Sequence, residues 1–66
     1  MTKIKLYRLQ QDLKAVDLSK KLGIHQSVLS VVESGKAKAS DNVRIKLAEF
    51  YGVPEEEIFS GRRYAI

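Results

Sequence analysis

Apolar residues at three- and four-residue intervals are the feature that most constrains how this chain of 66 residues can fold. The pattern runs from Ile4 to Phe59, and no stretch alternates with period two for long enough to form a sheet. Such spacing places apolar side chains on one face of an α-helix. Gly23, Gly35 and Gly52 interrupt the pattern, as left-handed residues at helix ends do. The sequence therefore predicts an all-α fold.

Helix start signals divide this fold into five helices. Ser40 is a good N-cap for the fourth helix, and Pro54 suits the start of a short fifth helix whose first turn holds three glutamates. The predicted spans are 3–11, 15–21, 26–34, 41–51 and 54–59. We assign residues 1–60 to one domain and residues 61–66 to a C-terminal tail of unassigned conformation.

Size and composition exclude several classes of protein. With no cysteine and a single histidine, the chain cannot form a disulfide framework or a cysteine- or histidine-based metal site, and no nucleophile–base pair can be assembled. We therefore expect no enzymatic activity, no cofactor and no small-molecule ligand. The apolar runs are far shorter than the ~20 residues of a membrane span, and the first residues lack the apolar stretch of a signal peptide. The expected location is cytoplasmic, without a membrane partner.

Positive charge is concentrated in the first part of the chain. The net charge is +4, with eight basic and three acidic residues in 1–38 against four basic and five acidic residues in 39–66. A basic front suits a protein that turns one side toward a polyanion. Scattered solubilising lysines would give the same total, so composition alone leaves both interpretations open.

The third predicted helix has an uncharged outward face. Leu29 and Val32, with Val28 alongside, form its predicted inward stripe. The opposite face carries no lysine or arginine and consists of Gln26, Ser27, Ser30, Val31 and Ser34. An ordinary solvated helix face would be filled with charged residues. Small polar groups and a methyl pair suit a surface that enters a DNA groove and contacts base edges.

Two short helices joined by a turn at Gly23 describe a helix-turn-helix. Residues 18–36 read LSKKLGIHQSVLSVVESGK and closely resemble the signature of the Cro/repressor (Xre-like) family of bacterial and phage transcription regulators. The likeness continues through residues 47–53 and 58–59 and covers residues 4–59. It implies a compact five-helix, lambda-repressor-like DNA-binding domain whose helix-turn-helix consists of helices 2 and 3.

The resemblance also implies roles for individual residues. Arg8 and Glu33 match positions that form an internal ion pair in the family. The base-contacting positions of the family match Gln26, Ser27, Ser30 and Val31. Chemistry supports two of these independently, because Gln26 can donate to and accept from adenine while Val31 can pack on a thymine methyl. Core packing is the alternative role for Val31.

Phosphate contacts are expected on both sides of this helix. The matching positions with suitable donors are Lys14, His25, Lys36, Lys38, Asn42 and Arg44. The sequence departs from the family pattern where Lys14 and Ala15 replace a hydroxyl residue and a glutamine. His25 stands where a hydroxyl N-cap is usual, so it is a weak cap, a phosphate contact or only a turn residue.

The function implied is that of a sequence-specific regulator of transcription. We expect a repressor that binds a pseudo-palindromic double-stranded operator as a homodimer, at least on DNA, in a bacterial or phage-infected cell. By resemblance, the dimer interface involves Val53, Pro54, Ile58, Phe59 and Tyr64. We expect Arg62 and Arg63 to pair with the acidic turn 55–57, within or between subunits. The alternative is an antitoxin-like or anti-repressor-binding module whose third helix meets a protein.

Overall fold

The computed structural model describes residues 1–66 and confirms the predicted all-α fold of five helices. Gly23 and Gly52 adopt left-handed conformations with φ of 65° and 66° and end the second and fourth helices. Ser40 caps the fourth helix through its hydroxyl, which accepts the N–H of Val43 at 3.3 Å. None of the helices is long and apolar enough to cross a membrane. The helices are α1 (Lys3–Gln10), α2 (Ala15–Leu22), α3 (Gln26–Glu33), α4 (Asp41–Tyr51) and α5 (Glu55–Ile58).

The hydrophobic core draws on all five helices. Each fully buried leucine or isoleucine stabilises the fold by about 1.5–3 kcal/mol relative to an exposed one. Because every helix contributes a large apolar side chain, the orientation of each helix is fixed by the others. The largest fully buried side chains are Ile4, Leu18, Leu29, Val32, Leu47 and Ile58.

Two predicted dimer contacts belong to this core instead. Ile58 is 0% exposed and Phe59 is 3% exposed, so neither side chain can reach a second copy of the chain. The prediction for these two residues is wrong because the C-terminal residues cover them. Phe59 forms an antiparallel bridge with Ala65, itself buried.

A buried ion pair links α1 to the end of α3. Arg8 Nε donates to Glu33 Oε2 at 2.8 Å, and both side chains are at least nine-tenths buried. Arg8 Nη1 also donates to the carbonyl oxygen of Leu13 at 2.9 Å, just before α2. The Thr2 hydroxyl donates to the backbone carbonyl of Glu33. One charge pair and its hydrogen bonds thus connect the first three helices.

The surroundings of this ion pair are largely apolar and aromatic. The hydroxyl of Tyr51 is buried and has no hydrogen-bond partner. Burial, together with the negative charge of Glu33, raises the pKa of Tyr51 to about 12. Its ring packs against Tyr7 and Phe50 at centroid distances of 5.5 and 5.0 Å. The charges of Arg8 and Glu33 therefore depend on each other rather than on solvent.

Residues 58–66 form a small hairpin. The N–H of Ser60 donates to the carbonyl of Tyr64 at 2.8 Å, and the N–H of Arg63 donates to the carbonyl of Ser60 at 2.9 Å. These bonds close a three-residue loop, 61–63, whose last residue has a φ of 73°. Loops of this kind commonly consist of a type I turn followed by a left-handed residue.

The hairpin packs against two other parts of the chain. The N–H of Lys3 donates to the carbonyl of Ile66 at 2.8 Å, and the N–H of Ala39 donates to the carbonyl of Arg63 at 3.0 Å. At Gly35, a Cβ atom would lie 3.2 Å from the carbonyl oxygen of Ala65. The structure therefore packs residues 61–66 into the domain that we had limited to residues 1–60.

Replacing Arg8 with methionine should leave the Glu33 carboxylate buried and unpaired. We expect the free energy of unfolding to fall by about 3–5 kcal/mol, measured by urea denaturation. Lys5→Met, on the exposed side of α1, is the control and should change stability by no more than about 0.5 kcal/mol. The double variant Arg8→Met/Glu33→Leu should recover stability, and a double variant no more stable than Arg8→Met would contradict this account.

Candidate nucleic-acid interface

The turn between α2 and α3 is fixed by backbone geometry. The N–H groups of Gly23 and Ile24 both donate to the carbonyl of Ser19, as in a capped helix end. Ile24 is buried, and Leu18 and Leu29 pack in the core from the two helices. The outward face of α3 is consequently held in one orientation relative to α2.

His25 is the N-cap of α3. Its Nδ1 accepts the N–H of Ser27 at 3.2 Å and lies 2.7 Å from the Ser27 hydroxyl oxygen. In a neutral imidazole whose Nδ1 accepts a hydrogen bond, the proton resides on Nε2. The exposed ring therefore has a free donor that suits a phosphate oxygen. Of the three roles open to His25, the structure shows capping, and the phosphate contact stays a prediction.

The outward face of α3 differs from the prediction at Val28. This side chain is 41% exposed instead of inward-facing, and Val31 is 42% exposed, so neither packs in the core. The inward stripe consists of Leu29, Val32 and Glu33, since Arg8 holds the glutamate inside. Glu33 follows Leu29 by four residues and therefore lies on the same face of the helix. The ion pair with Arg8 that the resemblance implies indicates this orientation.

Few polar groups on this face remain free. The Ser34 hydroxyl donates to the carbonyl of Val31 at 2.9 Å, and the Ser27 hydroxyl lies against His25. Gln26 and Ser30 are exposed, and their side chains have no hydrogen-bond partner within the chain. The surface of α3 thus combines two available polar side chains with two exposed valines.

Unpaired basic side chains lie around this helix. The ion pairs of the chain involve arginines only, so all eight lysines are free. Lys14 is the N-cap residue of α2 and makes no side-chain cap. Lys36 and Lys38 are exposed in the loop after α3, and Asn42 is exposed in the first turn of α4. All four predicted phosphate contacts are therefore accessible.

Arg44 is not available for a phosphate. Its Nε donates to Glu55 Oε1 at 3.1 Å, and its Nη1 donates to the Ala39 carbonyl at 2.8 Å. Nη2 pairs with Asp41, and this hydrogen bond holds the pKa of the Asp41 carboxyl below its usual value. The Arg44 side chain is only 13% exposed. The predicted phosphate contact is wrong, because Arg44 cross-links the start of α4 to α5.

The predicted pairing of the tail arginines with the acidic turn is absent within the chain. Glu55 is taken by Arg44, and Glu57 Oε2 accepts the Tyr7 hydroxyl at 3.2 Å. Arg63 Nη1 lies 3.7 Å from Asp41 Oδ1 instead, while Arg62 forms no ion pair. The partners of these long side chains depend on the hairpin, which the sequence did not predict.

The remaining predicted dimer residues lie in two places. Val53 is half-buried and Pro54 exposed, in a shallow groove of about 440 Å³ that also contains Ile45. Ile45 is 48% exposed and was missed, although its position outside the stripe of Val43 and Leu47 indicated an outward orientation. Tyr64 lines a separate cleft near Lys38. The structure therefore groups Ile45, Val53 and Pro54 as an apolar groove.

The similarity to known proteins extends over the helix-turn-helix and most of the chain. A family model described as helix-turn-helix matches residues 4–58. The chain is 40% identical over 57 residues, 86% of either chain, to a protein of Methanocaldococcus jannaschii named as an uncharacterized HTH-type transcriptional regulator. No solved structure matches the chain. The matched residues include the turn at Gly23 and every residue of α3.

Proposed function

Because the chain belongs to the Cro/repressor (Xre-like) helix-turn-helix family of DNA-binding transcription regulators, we propose that it is a repressor that binds a specific double-stranded operator through α3. The observation that carries this proposal is the uncharged outward face of α3, held by the turn at Gly23 and accompanied by free lysines. A helix with such a face can lie in the major groove and contact base edges. Repression then follows from occupying the operator, without a chemical step.

We assign sequence discrimination to five side chains of α3. Gln26 can bond to N6 and N7 of adenine, and the Ser30 hydroxyl is free to contact a base. Ser27 is oriented by His25 and presents its hydroxyl at the start of the helix. Val28 joins Val31 as an apolar pair that can pack on thymine methyl groups.

Affinity is assigned to the phosphate contacts. Lys14, Lys36 and Lys38 neutralise phosphates, while the His25 Nε2 and the Asn42 amide donate hydrogen bonds to phosphate oxygens. Three neutralised phosphates in each subunit contribute about −3 per subunit to the slope of log K against log salt concentration. Binding should therefore weaken steeply as salt rises, whichever sequence is bound.

A second copy of the chain is the proposed occupant of the apolar groove. Two copies related by a two-fold axis would place their α3 helices in major grooves about 34 Å apart, one turn of DNA. Ile45, Val53 and Pro54 offer apolar surface, with Glu49 and Glu55 at the edge of the groove. Edge glutamates repel across the axis, so we expect a weak dimer that forms most fully on DNA.

Selection of bound sequences from a random double-stranded pool tests the function. We expect a two-fold symmetric consensus for the wild-type chain, and loss of preference at one adenine per half-site in Gln26→Ala. The expected change at that position is about 1–3 kcal/mol of discrimination. No enriched sequence, together with a tight complex formed by α3 with a protein in the absence of DNA, would instead favour the protein-interaction module.

Uracil replacement tests the methyl contact of the valine pair. Exchanging a contacted thymine of the selected operator for uracil removes one methyl group, so we expect affinity to fall about fourfold. One of the variants Val28→Ala and Val31→Ala lacks the side chain that contacts this methyl group. In that variant, exchanging thymine for uracil should change the affinity little. Uracil at a thymine outside the half-sites is the matched control. Equal binding of every uracil-containing operator would contradict the contact.

Replacement of Ile45 by glutamate tests the dimer surface. A buried carboxylate in the apolar groove should prevent association, because its desolvation is not compensated. At protein concentrations that half-saturate the operator, sedimentation velocity should then show one bound chain where the wild type shows two. Leu6→Glu changes an apolar side chain of similar exposure on α1 and should leave two bound chains.

A further inference from the structure

A basic cleft opens between the α3–α4 loop and the C-terminal hairpin. It has a volume of about 530 Å³, and no acidic side chain lines it. The neighbouring cleft around Arg44 contains Glu55 and Glu56, which offset its arginines. Of these two clefts, the one between the α3–α4 loop and the hairpin therefore has the higher positive charge. The basic cleft is lined by Lys38, Gly61, Arg62, Arg63 and Tyr64.

The backbone holds the walls of the basic cleft together. The hydrogen bond from the Ala39 N–H to the Arg63 carbonyl joins the hairpin to the loop that follows α3. On the same side, the close approach of Gly35 to Ala65 leaves little room between the two segments. The basic cleft thus has a fixed position next to the C-terminal end of α3.

Arg63 occupies a position where glycine is the favoured residue. Its left-handed φ of 73° is the conformation that glycine usually supplies at the end of a three-residue hairpin loop. Here the glycine of the loop, Gly61, stands at the first position and has no positive φ. Strained non-glycine residues persist where surrounding contacts enforce them, and they cluster at binding sites.

The charge of the two arginines is only partly offset within the chain. Arg62 is exposed and has no ion-pair partner. Arg63 has one, the exposed Asp41 at 3.7 Å, which is also bound to Arg44. Lys38 is likewise free. A guanidinium group can donate to two phosphate oxygens at once, and the lysine and two arginines that line the cleft give it a positive charge that attracts a phosphodiester.

We propose that the basic cleft binds a backbone phosphate of the operator, beside the base pairs that α3 contacts. This inference rests on the proposed DNA-binding function and assigns Lys38, Arg62 and Arg63 to one phosphate site. The hairpin thereby adds contacts that fix the register of α3 on the duplex and carry no sequence information. Loss of these contacts weakens binding to every duplex alike.

The variant Arg62→Gln tests the phosphate site. Its control is Lys46→Gln, which also removes one positive charge but from a separate groove that Lys46 shares with Lys21 and Glu49. Affinities of the full chain for the selected operator and for an unrelated duplex of equal length are measured across 50–200 mM salt. We expect Arg62→Gln to weaken both duplexes severalfold and to reduce the salt slope by about 1 per subunit. Lys46→Gln should keep the wild-type slope.

Arg63→Gly separates the loss of a contact from the loss of the fold. Glycine accepts the left-handed conformation, so we expect the melting temperature to stay the same or rise while the affinity for both duplexes falls.

Wild-type operator binding with an unchanged salt slope in both Arg62→Gln and Arg63→Gly would overturn this inference and leave the proposed function intact. Absence of sequence selection by the wild-type chain would overturn the proposed function itself. A loss of affinity for the operator alone, with unchanged affinity for the unrelated duplex, would also overturn the phosphate site. Only base contacts distinguish one sequence from another in this manner.

Discussion

The buried contact between Arg8 and Glu33 determines how the helix-turn-helix is held. Glu33 is the last residue of α3, and Arg8 also binds the carbonyl that precedes α2, so one guanidinium group positions both helices relative to α1. Two charges removed from water stabilise a structure only while both are satisfied. The Thr2 hydroxyl on the Glu33 backbone and the raised pKa of Tyr51 show a site where polar groups have few alternative partners. At its other end α3 is capped by His25, whose Nδ1 accepts the N–H of Ser27.

The predictions from sequence were most accurate where the signals are local. Helix ends at Gly23 and Gly52 and the cap at Ser40 depend on residues a few positions apart, and the structure has them at these positions. Partners distant in sequence were harder to predict. The burial of Ile58 and Phe59 depends on the hairpin, whose loop has arginine where glycine is expected. The partners of Arg44 were missed because α5 lies beside the start of α4 only in the folded chain.

A line of charges connects the two surfaces proposed to bind partners. Glu55, at the edge of the apolar groove, pairs with Arg44, which pairs with Asp41, which lies near Arg63 at the basic cleft. The hydrogen bond from Arg44 holds the pKa of the Asp41 carboxyl below its usual value, and this carboxylate partly offsets Arg63. A phosphate in the basic cleft would compete with Asp41 for Arg63. The two proposed surfaces therefore lie at opposite ends of one series of ion pairs.

The hydrogen bond between Lys3 and Ile66 has a kinetic consequence. It joins positions separated by nearly the whole chain, and closing so long a loop costs more entropy than closing the turn between α2 and α3. Contacts of large sequence separation form slowly, whereas helices joined by short turns assemble quickly. The helix-turn-helix should consequently be assembled before the hairpin docks, and the hairpin should detach first when the native state opens locally. Backbone amides of the hairpin should then exchange with solvent sooner than those of α3, so local opening at the hairpin would leave α3 intact.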